Sequence, residues 1–152
     1  SVVAQRRETI LQWFAAALLA CGCVNLAEFP DFPPAKDYVA TTSCDLSADP
    51  AGCRDTRAGW AVTYARAVGG GYESQRAVAL CLSTGCDKAI VEDRVLGCAW
   101  RHVIVGAKHA TTAESDRAQV ARFCGGSALD EADRQTARDQ AAVWMQLVGV
   151  TQ

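Results

Sequence analysis

Eight cysteines in a chain of 152 residues set the first limit on what it can fold into. A reduced cytosol does not sustain that density without metal or catalytic use, and no pair here forms the C-x-x-C of a redox or haem-attachment motif. Disulfides are the expected state, so the chain is expected where thiols become oxidised. Zinc is the competing use of the sulfurs and is weighed below.

The N-terminal segment sets the compartment. Arg6 and Arg7 precede Ile10 to Leu26, 17 residues without a formal charge, which as a helix would reach about 26 Å, just short of a ~30 Å hydrocarbon core. Basic residues before the run and none directly after it direct the N-terminus to the cytoplasm. Residues 1–28 are thus expected to be a transmembrane or signal-anchor helix, a single pass that uses membrane lipid as its partner. The remainder then faces the periplasm from a bacterial inner membrane. Leu18-Leu19-Ala20-Cys21 resembles a bacterial lipobox, which makes Cys21 the residue that would carry lipid in a cleaved lipoprotein. An ordinary buried helix is the third reading, because Gln12 and Asn25 interrupt the run.

Residues 29–53 hold Pro30, Pro33, Pro34 and Pro50 and read as an extended connector, since proline lacks the donor that a helix interior needs. From residue 54 to 152 the composition turns to alanine, valine, arginine and glutamine with glycine punctuation, which predicts helices over about 55–68, 73–83, 92–110, 113–124 and 128–148. Gly69-Gly70-Gly71, Gly85, Gly125-Gly126 and Gly149 supply the stops. Glu92-Asp93 suits the start of the third helix, Thr111 with Glu114 makes a capping-box pattern for the fourth, and Ser127 with Asp130 does so for the fifth.

Glu73-Ser74-Gln75-Arg76-Ala77 returns as Glu114-Ser115-Asp116-Arg117-Ala118, and Trp60 returns as Trp100, with Trp144 extending the series. A period near 40 with two helices per unit is the pattern of a helical solenoid, in which each hairpin buries its apolar face by stacking on the next. Gly71-Tyr72-Glu73-Ser74-Gln75-Arg76-Ala77, the Cys81/Gly85/Cys86 cluster and Leu96-Gly97-Cys98-Ala99-Trp100-Arg101 resemble the Sel1-like repeat in its cysteine-bearing, extracytoplasmic proteobacterial form. The likeness covers roughly residues 57–126 and does not extend to residues 1–53. It implies an all-α fold of α/α hairpins, a TPR-related solenoid, and a role in protein contacts and assembly. It also implies a rival from another class, a β-lactam-binding or hydrolysing enzyme.

If the third and fourth helices form an antiparallel hairpin turning at Thr111, Cys98 and Cys124 lie equally far from the turn and should pair. Cys81 and Cys86 straddle a helix end, and Cys44 and Cys53 close a turn-rich loop. Many other pairings of six cysteines remain open by arithmetic. Cys21 and Cys23 are left free, lipidated, or joined to each other or to a partner. The zinc alternative would use Cys81, Cys86, Cys98 and His102 as four tetrahedral ligands, but it leaves Cys124 without a mate. His102 and His109 fall two turns apart on one expected helix face and read as packing or surface residues.

Trp60, Trp100 and Trp144 are core residues at matched positions in this reading, with an interface anchor as their other use. Fifteen basic residues against 17 acidic ones, without clustering beyond Arg6-Arg7, exclude a nucleic-acid partner. Nucleophile elbows, Rossmann glycines and HExxH are absent, and the glycine triplet lacks the Lys-Ser/Thr of a phosphate loop. No catalytic residue, metal or cofactor is expected. The reading is a periplasmic, membrane-anchored interaction module, an accessory or assembly subunit whose partners are the other subunits of a larger membrane complex, with a respiratory assembly as the candidate.

Overall fold

Among the described residues, stretches bounded by glycines and acids form five α-helices: α1 (Pro50–Val68), α2 (Tyr72–Thr84), α3 (Arg94–Gly106), α4 (Glu114–Cys124) and α5 (Glu131–Val148). The computed structural model describes residues 32–107 and 109–148. The expected anchor at 1–28, with Cys21 and Cys23, lies outside the described residues, as does Gly149. The described fold is all-α, and its one extended pairing is an isolated antiparallel bridge between Val39 and Ile90. No helix among the described residues is long and apolar enough to cross a membrane.

The helix starts are set by single side chains. Asp49 caps α1 by accepting from the Gly52 N–H at 3.1 Å, and Pro50 follows at the first helical position, where its missing donor costs nothing. The helix therefore begins inside the stretch expected to be connector. Asp93 caps α3 through the Leu96 N–H at 2.9 Å. Two expected caps are corrected. At α4 the helix starts after Ala113, whose N–H donates to Asp116 at 2.9 Å, so Thr111 lies too far back to serve. At α5 the carboxylate of Asp130, not Ser127, accepts the Asp133 N–H at 2.8 Å, because the cap must directly precede the first helical residue. The glycine stops are used as expected: Gly85 closes α2 at φ 74°, in the left-handed region, and Gly70 turns the chain at φ 96° between α1 and α2.

Helices α1 and α5 each bury a single face. In α1 this is Cys53, Trp60, Tyr64 and Ala67, and in α5 it is Ala137, Ala141, Trp144 and Val148, single stripes at helical spacing. In α3, Gly97 through Arg101, Val103 and Ile104 are all buried, so α3 is enclosed on nearly every side and packs against α2, α4 and α5. Gly97 lets α2 and α3 approach closely: a Cβ there would lie 3.0 Å from the Ser83 nitrogen and 3.2 Å from the Ala79 oxygen. The core is continued by rings, with Trp60 5.9 Å from Tyr64, Tyr64 6.4 Å from Trp100, and Trp100 4.9 Å from Trp144.

The described part of the proline-rich stretch is a packed element and not a spacer. Phe32 stacks on both Trp100 and Trp144, Tyr38 packs on Trp60 and Tyr64, and the Trp60 indole N–H donates to the Ala35 carbonyl at 3.0 Å. Its other side docks on the loop after α2. There Cys86, Asp87 and Lys88 take consecutive positive φ values of 44°, 56° and 68°, a run that side chains disfavour. Asp87 holds it by accepting from the Ala48 and Asp49 N–H groups at 2.9 and 2.8 Å, and Arg57 donates to the Lys88 and Thr42 carbonyls.

Three disulfides join Cys44 to Cys53, Cys81 to Cys86 and Cys98 to Cys124, the pairs that the spacing suggested. Cys98 lies near the start of α3 and Cys124 ends α4, so these two helices run antiparallel. The bond closes a separation of 26 residues, for which chain-entropy arguments give about 3 kcal/mol. The double change Cys98→Ala/Cys124→Ala is expected to lower the thermal midpoint by about 10 °C and to speed amide exchange in α4 far more than in α1. Equal acceleration across the five helices would show that the bond does not hold α4 locally.

Candidate functional site

Helices α2 and α4 both lie on α3 and leave a groove of about 450 Å³ between them. One wall carries Glu73, Arg76, Ala77 and Leu80 from α2, the other Gln119, Arg122 and Phe123 from α4, and Arg101 of α3 also lines it. Arg101 is only 6% exposed, and its Nε and Nη2 are buried without a hydrogen-bond partner. Its guanidinium lies 4.1 Å from the centre of the Phe123 ring, with Arg122 against the same ring at 5.0 Å. Burial, and then the neighbouring charges of Arg122 and Arg76, hold Arg101 below the usual arginine pKa, a measure of how poorly its charge is compensated. Arg122 has no carboxylate partner among the described residues.

One end of the groove is fixed by a polar cluster built from the two similar segments, Glu73 to Ala77 and Glu114 to Ala118. They form the first turns of α2 and α4, and these turns sit side by side. Gln75 and Asp116, at matching places, are both buried. The Gln75 amide donates to the Ala67 carbonyl at 3.1 Å, and its oxygen meets His109 Nε2 at 2.8 Å. The Tyr72 hydroxyl donates to Asp116 at 2.6 Å, and Arg76 Nε lies 3.4 Å from the other carboxylate oxygen. Burial alone would raise the Asp116 pKa, but the Ala113 N–H, the Tyr72 hydroxyl and the Arg76 and His109 charges together outweigh it and hold the carboxyl below its usual value.

The sulfur and histidine expectations divide. The zinc set of Cys81, Cys86, Cys98 and His102 is not brought together: Cys81 and Cys86 are bonded to each other across the end of α2. The ligand-type atoms that meet are those of Cys98, His102 and Cys124, all within 4.8 Å, and two of these sulfurs are joined. His102 is near that bond because it follows Cys98 by one helical turn. Burial, followed by the Arg138 charge, lowers its pKa and so disfavours the charged ring. His109 does not share a helix face with His102, since α3 ends at Gly106 and the chain has turned before residue 109 reaches Gln75.

Trp60, Trp100 and Trp144 are 2%, 0% and 1% exposed, so they are the core residues expected at these matched positions, and the alternative use as an interface anchor is closed to them because each spends its area inside the core. The groove residues went unrecognised in the sequence, and one signal could have found Arg101. Arg101 interrupts the apolar run from Leu96 to Val105, and a charged group at such a place must find a special environment. No protein-family model, no curated protein and no solved structure matches the chain.

Because the folded chain holds Asp116 below the ordinary carboxylate value of 3.8, its charge stabilises the fold above that pH, and the contribution is lost as pH falls through the lower folded value. Asp116→Asn is expected to cost about 1 kcal/mol at neutral pH. Denaturant unfolding of parent and variant should converge as the pH is taken from about 5 towards 2. A gap that does not change with pH would contradict this role for the carboxylate.

Proposed function

We propose that this chain is an extracytoplasmic protein-interaction module of the Sel1-like kind, carried on a bacterial inner membrane by its N-terminal segment and serving as a non-catalytic accessory or assembly subunit of a larger membrane complex. The observation that carries the reading is the set of three disulfides in one small helical body. They fasten the proline-rich stretch to α1, the end of α2 to its loop, and α3 to α4. Such bonds form and persist outside the reducing cytosol. They also suit a stack of few hairpins, whose core by itself gives little margin.

The groove between α2 and α4 is the contact face in this reading. Its charged groups are mainly guanidiniums, which stay protonated at physiological pH and so recognise ligands rather than exchange protons with them. Leu80, 47% exposed on α2, adds apolar area beside them. The side-by-side first turns of α2 and α4, built from similar sequences, support stacked units of the kind named.

Extraction of the full chain from its host's membranes in mild detergent should bring a membrane-protein partner in near-stoichiometric amount. Leu80→Glu, which places an acid on the groove rim without touching the core, should release that partner. A lone monomer after gentle extraction, or a partner retained unchanged by the variant, would overturn the reading.

A further inference from the structure

We propose that the α2–α4 groove binds a carboxylate carried on an apolar group, with Arg101 and Arg122 holding the carboxylate and Ala77, Leu80 and Phe123 receiving the apolar part. The inference rests on the groove's being a contact face and names what that face takes.

Charge is the first argument. Arg76, Arg101 and Arg122 face two carboxylates, and both of these are used by Arg76: Asp116 at 3.4 Å and Glu73 at 3.4 Å. The five groups together carry one net positive charge, and Arg101 and Arg122 are the two that no carboxylate contacts. A single negative charge neutralises this set, whereas a phosphate dianion overshoots it. Burial makes the balance matter, because the uncompensated Arg101 charge is screened little by water.

Geometry is the second argument. Phe123 lies against both guanidiniums, at 4.1 and 5.0 Å; Arg101 Nε and Nη2 are closed off from solvent without a partner, so the exposed Arg122 guanidinium presents the donor edge and Arg101 supplies buried charge behind it. A planar fork of donors matches the two oxygens of a carboxylate. The third argument is the composition of the walls. Ala77 and Leu80 on one side and the Phe123 ring on the other place exposed carbon next to the charged floor, so a bare inorganic anion would leave much of the groove unused. The end of a peptide with an apolar last residue has this shape and charge.

The test titrates the full chain in mild detergent with N-acetyl-leucine, N-acetyl-leucine amide and inorganic phosphate, followed by calorimetry. N-acetyl-leucine is expected to bind saturably with a Kd in the millimolar range, and its amide and phosphate at least about tenfold more weakly. Arg122→Gln, at an exposed position outside the core, should weaken N-acetyl-leucine about tenfold by losing the fork, and Arg101→Lys should do the same by losing the planar group packed on Phe123 while keeping the charge. If Arg101→Lys fails to fold, Arg122→Gln decides. Equal binding of the amide, tighter binding of phosphate, affinity unchanged in Arg122→Gln, or no saturable binding would each overturn the proposal. Should the carboxylate fail while Leu80→Glu still releases a membrane partner, the ligand class falls and the interaction reading stands.

Discussion

The Cys98–Cys124 bond is the constraint on which the rest depends, because α4 has little else to hold it. Across its 11 residues α4 buries only Asp116 and Cys124, too little apolar area to dock an isolated helix of three turns. Its two ends are fixed by different means. At the start, Asp116 accepts from Tyr72 and meets Arg76; at the end, the sulfur bond ties it to α3 and places Phe123 over Arg101. Without the second attachment the groove would lose a wall, and Arg101 would lose the ring that covers it.

From that bond the argument runs in both directions. Towards the core, α3 is the central element: it carries Cys98, Gly97 for the close contact with α2, and Trp100 at the centre of the aromatic series. Towards the surface, enclosure of α3 explains why Arg101 is buried at all. A guanidinium on a helix packed against three others is buried among them, and Arg101 lies at the floor of the groove between α2 and α4. The proposed binding chemistry is therefore a consequence of how the helices are stapled.

Much of this could be read from the sequence where the governing interactions are local. Glycine at 69–71, 85 and 125–126 ends helices for reasons of backbone freedom alone, and the sulfur pairs at 44/53 and 81/86 are close in the chain. Cys98 and Cys124 needed only the assumption of an antiparallel hairpin. What failed depended on competition between neighbours or on distant contacts. Thr111 and Ser127 were plausible caps until Asp116 and Asp130 supplied better-placed carboxylates. Prolines at 33, 34 and 50 suggested a spacer, yet Phe32, Tyr38 and Ala35 between and beside them anchor the stretch to three tryptophans. Arg76, Arg101 and Arg122 come from three helices and show no spacing pattern, so their convergence is a property of the packing. The residues matched in the two Glu-Ser-x-Arg-Ala segments pointed to that end of the groove without indicating that Gln75 and Asp116 would be buried there.

The account stands most directly on the oxidised state of α3 and α4, which peptide mapping of the native, unreduced full chain after thiol blocking will show. It predicts that the peptides holding Cys98 and Cys124 are recovered joined to each other and carry no blocking group. Recovery of both as separate, blocked peptides would contradict it, removing the wall of the groove and, with it, the reason to place this body outside the cytosol.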